Sequence, residues 1–148
     1  MPNAPDISMT DFKMLAANQY LMASVVGAGT VTTASTGTVT GVSKYRALDI
    51  LVNVTATGGA TATLAVFIDT QFASGVWSNL AAGTLQTTAG QQVIHLFKPS
   101  VTTVMVVTAD AAAGTARAIG WGDNLRVRYT ISGATSTFDF AVWLNGVG

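Results

Sequence analysis

The sequence predicts an all-β protein built as an antiparallel two-sheet β-sandwich, and three observations carry that reading. The closing stretch alternates strictly. Leu125, Val127, Tyr129 and Ile131 interleave with Arg126, Arg128 and Thr130, and after a Ser132-Gly133-Ala134-Thr135 turn Phe138, Phe140, Val142 and Leu144 interleave with Asp139, Ala141 and Trp143. A period of two belongs to strands with one buried face. Glutamate is missing altogether, all seven acids being Asp, so a residue favoured on exposed helix faces is unavailable. Val and Thr, stiff at χ1 and suited to pleated surfaces, dominate instead.

Residues 1–19 stand apart as an N-terminal arm. Pro2 and Pro5 give an extended start, and Thr10 can cap a short helical turn with Asp11 near its positive end. This segment reads either as a frayed terminus or as an arm that orders on a neighbouring subunit, with Phe12, Met14 and Leu15 as its contact residues. The domain proper spans 20–148. A strand over 20–26 ends at Gly27-Ala28-Gly29, and a Thr/Val strand over 30–42 is interrupted near Ser35-Thr36-Gly37. Residues 45–57 place Leu48, Ile50, Val52 and Val54 on one face, and Thr57-Gly58-Gly59-Ala60 turns the chain. Residues 61–70 return with Leu64, Val66 and Ile68 inward, and shorter strands follow at 76–80, 91–97 and 102–108. The stretch 109–122 breaks the rhythm with Ala111-Ala112-Ala113-Gly114 and Gly120-Trp121-Gly122, reading as a helical turn or a long loop. Residues 124–146 then form a hairpin. About eight strands at this spacing favour a jelly roll among two-sheet sandwiches.

At 148 residues and 49% hydrophobic, the chain is one domain long and can bury a core without metal or disulfide. It has no cysteine, which excludes thiolate metal sites and cysteine nucleophiles. Only 9% of residues are charged, against about 25% in an average soluble domain. A surface of Thr, Ser, Asn, Gln and Gly can be covered by a partner without desolvating ions, which favours a packed assembly. Net charge is zero with no basic run, so neither nucleic acid nor an anionic membrane is an expected partner. No stretch reaches about 18 uninterrupted apolar residues, so no transmembrane helix is expected. The N-terminus, with Asp6 and Asp11 and no basic start, does not read as a secretory signal.

Candidate chemistry is sparse. His95 is the single histidine, on the Val93 and Phe97 face of its strand, and no Gly-x-Ser-x-Gly elbow accompanies it, so it reads as a structural or surface residue with no catalytic set. Asp49, Asp69 and Asp139 lie on separate strands without ligand spacing, so no metal is expected; Asp69 and Asp139 read as exposed or as partners of Arg126 and Arg128 across a sheet. Gly27-Ala28-Gly29 lacks the third glycine and helix of a phosphate loop and reads as a turn, and Asn53-Val54-Thr55 is a chance glycosylation triplet unless the chain is secreted from a eukaryotic cell. No cofactor is implied. Trp77, Trp121 and Trp143 form a possible aromatic platform for sugar. Trp143 points away from the Phe138 and Phe140 face, so a ligand or a neighbouring subunit must cover it if it is covered at all.

Gly122-Asp123-Asn124-Leu125-Arg126-Val127-Arg128-Tyr129-Thr130-Ile131-Ser132-Gly133, followed by the aromatic strand 138–144, resembles a pattern in small structural proteins of tailed bacteriophages. Leu64-Ala65-Val66-Phe67-Ile68-Asp69-Thr70 with Trp77 soon after is similar to that family's central strand pair. The resemblance spans residues 45–146, and the Ala-rich 109–118 stretch departs from it. It implies a capsid decoration, or cement, protein: a β-sandwich or jelly-roll subunit, often trimeric, on the outside of the head, clamping neighbouring major capsid protein subunits. Phe12, Met14, Leu15 and Trp143 are then the expected contact residues, the location is the virion exterior after synthesis in the host cytoplasm, and no enzymatic activity is implied. The other reading left open is a carbohydrate- or receptor-binding module of a phage tail or secreted protein.

Overall fold

The computed structural model describes residues 18–29, 31–99 and 104–148, with side chains except those of 31–36. It is an antiparallel β-sandwich without a helix among the described residues. Among the described residues nine strands follow in order: β1 (Gln19–Ala28), β2 (Val31–Thr40), β3 (Ala47–Gly58), β4 (Thr63–Ala73), β5 (Val76–Ala82), β6 (Gly90–Phe97), β7 (Thr115–Ala116), β8 (Asn124–Ser132) and β9 (Thr137–Val147). A four-stranded sheet has the order β1-β9-β3-β6, and a five-stranded sheet the order β2-β8-β4-β5-β7. The interruption expected near residue 36 is a register shift of β2 against β8 between Thr33 and Gly37.

The alternation seen in the sequence maps onto burial with little exception. Leu48, Ile50 and Val52 on β3, Leu64 and Ile68 on β4, Leu125, Val127 and Ile131 on β8, and Phe138, Val142 and Leu144 on β9 are all buried between the sheets. Tyr129 and Phe140 meet edge to face across the core, with ring centroids 5.2 Å apart. Trp121 closes one end, its indole N–H donating to the Val42 carbonyl at 3.1 Å.

Two expectations are corrected. The stretch 124–146 is no hairpin: β8 pairs with β2 and β4, and β9 with β1 and β3. Each limb has one apolar face, and a corner between sheets lets those two faces meet across the core, where a hairpin would lay them side by side. Gly133 makes the corner with φ of 109°, and the Ser136 N–H donates to the Gly133 carbonyl while the Ser136 carbonyl accepts from the Gly29 N–H at 2.7 Å. The glycine turn after β3 likewise passes the chain from one sheet to the other, with Gly59 at φ 96°. Finally, the described residues 104–108 are not a strand, although their composition favours one. The 109–122 stretch is irregular backbone apart from the two residues of β7, the long loop of its two readings, as the glycines around Trp121 favour.

Candidate functional site

Strand pairing places side chains in rows across the outer face of the four-stranded sheet. Leu21 on β1 is opposite Trp143 on β9, Trp143 opposite Leu51 on β3, and Leu51 opposite Val93 on β6. This is an apolar row spanning all four strands on a surface where alternation normally puts polar groups. Leu21, Val93 and Trp143 are exposed, Trp143 at 43%. The next row runs Gln19, Asn145, Asp49 and His95 in the same strand order. His95 Nδ1 is bonded to Asp49 Oδ1, and the imidazole stands edge-on to Phe97 at 4.2 Å. Leu51, Val93 and Trp143 of the first row and all four residues of the second line an open hollow of about 610 Å³. Its chemistry is an indole and aliphatic floor beside two amides, a carboxylate and an imidazole.

The outer face of the five-stranded sheet carries a different cluster. Asp69, 1% exposed, accepts from Arg126 Nε at 2.8 Å, from Arg128 Nε at 2.6 Å and Nη2 at 2.8 Å, and from Asn79 Nδ2 at 3.1 Å. Burial alone would raise the Asp69 carboxyl. The hydrogen bonds from Arg128, Arg126 and Asn79 outweigh that and hold it below the usual carboxylate range. Arg128 also binds Asp110, at 2.6 Å, and its hydrogen bonds to the two aspartates push its own titration further upward. Arg126 lies over the Trp77 ring and Arg128 over Phe67. Asn79 Oδ1 accepts the Ala111 N–H at 2.8 Å. The cluster therefore fastens the irregular 109–117 segment to the sheet, using four of the chain's few charges in two neutral pairs.

The residues singled out from sequence fall as follows. Trp143 stands on the outer surface, as its position opposite the Phe138 and Phe140 face required. Trp77 lies under Arg126 on the opposite face of the sandwich, and Trp121 is in the core, so the three indoles form no common platform. Asp69 pairs with both arginines; Asp139 is on the other sheet, paired in register with Val26 and Ala56. Among the described residues no three His, Asp or Glu side chains converge. Phe12, Met14 and Leu15 lie outside the described residues, as does most of the 1–19 arm; its last residues are tied down, the Gly146 N–H donating to the Asn18 carbonyl at 2.9 Å and Asn18 Nδ2 donating back to the Gly146 carbonyl at 2.8 Å. Gln19, Leu21, Leu51, Val93 and Asn145 were missed as a surface. A signal for part of it existed: Ile50-Leu51-Val52 breaks alternation on β3, and an apolar residue at an outward position is what an exposed apolar row requires.

Compared with protein-family models, curated proteins and solved structures, the chain finds no match.

Proposed function

We propose that this chain is a non-enzymatic virion protein of a tailed bacteriophage, a capsid decoration subunit that binds the head exterior and bridges major capsid protein subunits. The observation carrying this reading is the uncharged apolar row centred on Trp143, an outward face built to be covered. The resemblance in residues 45–146 points the same way. The strand order supports the jelly-roll form: β1-β9-β3-β6 faces β2-β8-β4-β5, and the connections β1 to β2, β2 to β3, β3 to β4 and β8 to β9 all pass between sheets. Many symmetric copies, each making a modest contact, reinforce a shell against internal pressure without one strong site, and a trimer multiplies each contact.

The test is co-sedimentation of the chain with capsids stripped of it. Trp143→Ala is expected to weaken binding about 30-fold, the effect of losing an interface anchor worth about 2 kcal/mol, while the chain stays folded. Deleting residues 1–17 tests Phe12, Met14 and Leu15 while sparing Asn18 and Gln19, which pair with β9. Undiminished binding in both variants would overturn the contact assignment.

One observation favours a second reading, a saccharide-binding module. Gln19, Asn145, Asp49 and His95 stand beside Trp143, supplying the hydroxyl partners that the sequence did not place near any tryptophan. A glycan array answers this directly: a hit lost in both Trp143→Ala and Asn145→Ala promotes it, and a blank array removes it.

A further inference from the structure

Residues 104–108, Val-Met-Val-Val-Thr, have the composition of a strand and no strand partner. They make no backbone hydrogen bond to another described residue. Val104 and Val106 are 94% and 76% exposed, while Met105 and Val107 line a hollow with Phe72, Ser78 and Ile119. That alternation is the period of an extended strand. A local preference left unmet in this way belongs to a functional or strained site.

A matching vacancy exists at the end of the other sheet. β6 is its last strand, and it pairs with β3 in unbroken register from Ala47 opposite Phe97 to Val54 opposite Gly90. It contains no proline, lysine, arginine or aspartate, and no bulge bends it, so the usual devices that blunt an edge are missing. Val93 and Phe97 are exposed on it. Alongside runs a slot of about 160 Å³, walled by Gly83, Thr84, Gly114, Thr115 and Ala116. There the Gln92 side-chain amide accepts from the Thr84 N–H at 2.8 Å and donates to the Thr84 carbonyl at 2.9 Å, a side chain bonding as a peptide unit would.

We propose that residues 104–108 of one copy add as a strand to the β6 edge of a second copy. The chain's own β6 is not the acceptor, because Ala111 on Asn79 and Asp110 on Arg128 tether the segment to the outer face of the opposite sheet. Neither segment carries Lys, Arg or Asp, so the seam buries no permanently charged side chain of its own. Main-chain hydrogen bonds hold the added strand, and Val104 and Val106 extend the Val93 and Phe97 face. Donor and acceptor are different elements, so each copy both gives a strand and receives one, and the contact builds a reciprocal dimer where the relation between copies is two-fold and a head-to-tail assembly where it is not. This deepens the homo-oligomer part of the proposed function and rests on it, but it is read with the isolated chain, separately from capsid binding.

The natural chain lacks cysteine, which makes disulfide trapping clean. Val106→Cys is mixed with Gln91→Cys, Val93→Cys or His95→Cys and oxidised. A covalent dimer is expected from at least one mixture and not from Val106→Cys alone. A Val106→Cys homodimer as the main product would overturn the pairing of this segment with the β6 edge. In sedimentation, the unsubstituted chain is expected as an oligomer and the Val104→Lys/Val106→Lys variant as a folded monomer. A monomeric unsubstituted chain, or a variant of unchanged mass, would overturn the proposal.

Discussion

Replacing Asp69 by Asn isolates what the cluster on the five-stranded sheet contributes. Asn keeps the shape of the side chain and removes its charge, leaving Arg126 without its carboxylate and Arg128 with Asp110 only. Breaking a fully buried ion pair costs about 3 to 5 kcal/mol. The arginine side chains are 20% and 23% exposed, so water recovers part of that, and Asn79 retains an oxygen to donate to. The expected loss is about 2 to 3 kcal/mol at pH 7, measured by urea unfolding at fixed protein concentration. The sign of the pH dependence follows from the lowered carboxyl. The unfolded chain binds this proton at the ordinary Asp value of about 3.9 and the folded chain only at lower pH, so the contribution is fully present above about pH 5 and is lost as pH falls through the folded value. The gap between the two proteins should therefore narrow from about pH 4 downward. A gap below about 1 kcal/mol at pH 7, or one of equal size at pH 7 and pH 2.5, would refute the assignment of Asp69 as a charged anchor.

Further outcomes follow from the packing. Phe138→Ala, at a fully buried position, should cost about 3 to 5 kcal/mol, whereas Trp143→Ala on the outer face should cost less than about 1 kcal/mol; thermal melts of the two should differ accordingly. In Gly122→Ala the added methyl would meet the Gln71 carbonyl oxygen at 2.1 Å, and a loss of about 2 to 3 kcal/mol is expected in denaturant unfolding. Trp121→Phe removes the donor to the Val42 carbonyl and should cost about 1 to 2 kcal/mol, together with the buried-indole component of the fluorescence shift on unfolding.

The period of two in Leu48 to Val54, Leu64 to Ile68, Leu125 to Ile131 and Phe138 to Leu144 was enough to place the strands and their buried faces, because alternation is a local property of the extended backbone. The same alternation is written identically into a hairpin and into a corner between sheets, so it could not say that β8 and β9 face each other. Four-residue connections through Gly59 and Gly133 made that choice, and the burial of both apolar faces rewarded it. Composition told that charge was scarce, and the sequence offered Asp69 and Asp139 alike as exposed residues or cross-sheet partners of Arg126 and Arg128; folding selected Asp69, though it lies 57 positions from Arg126.

The surface around Trp143 shows the division most plainly. Its outward direction was determined by its parity against Phe138 and Phe140 on one strand. Its neighbours come from three other strands, Gln19 and Leu21 from β1, Asp49 and Leu51 from β3, and Val93 and His95 from β6. Their adjacency depends on strand order and register, which are set by pairings between residues far apart in the chain, and so belongs to the tertiary structure alone. Residues 104–108 mark the opposite case. Their sequence favours a strand, and the fold leaves them without a strand partner, because pairing, unlike local preference, is decided by which edges tertiary folding brings alongside.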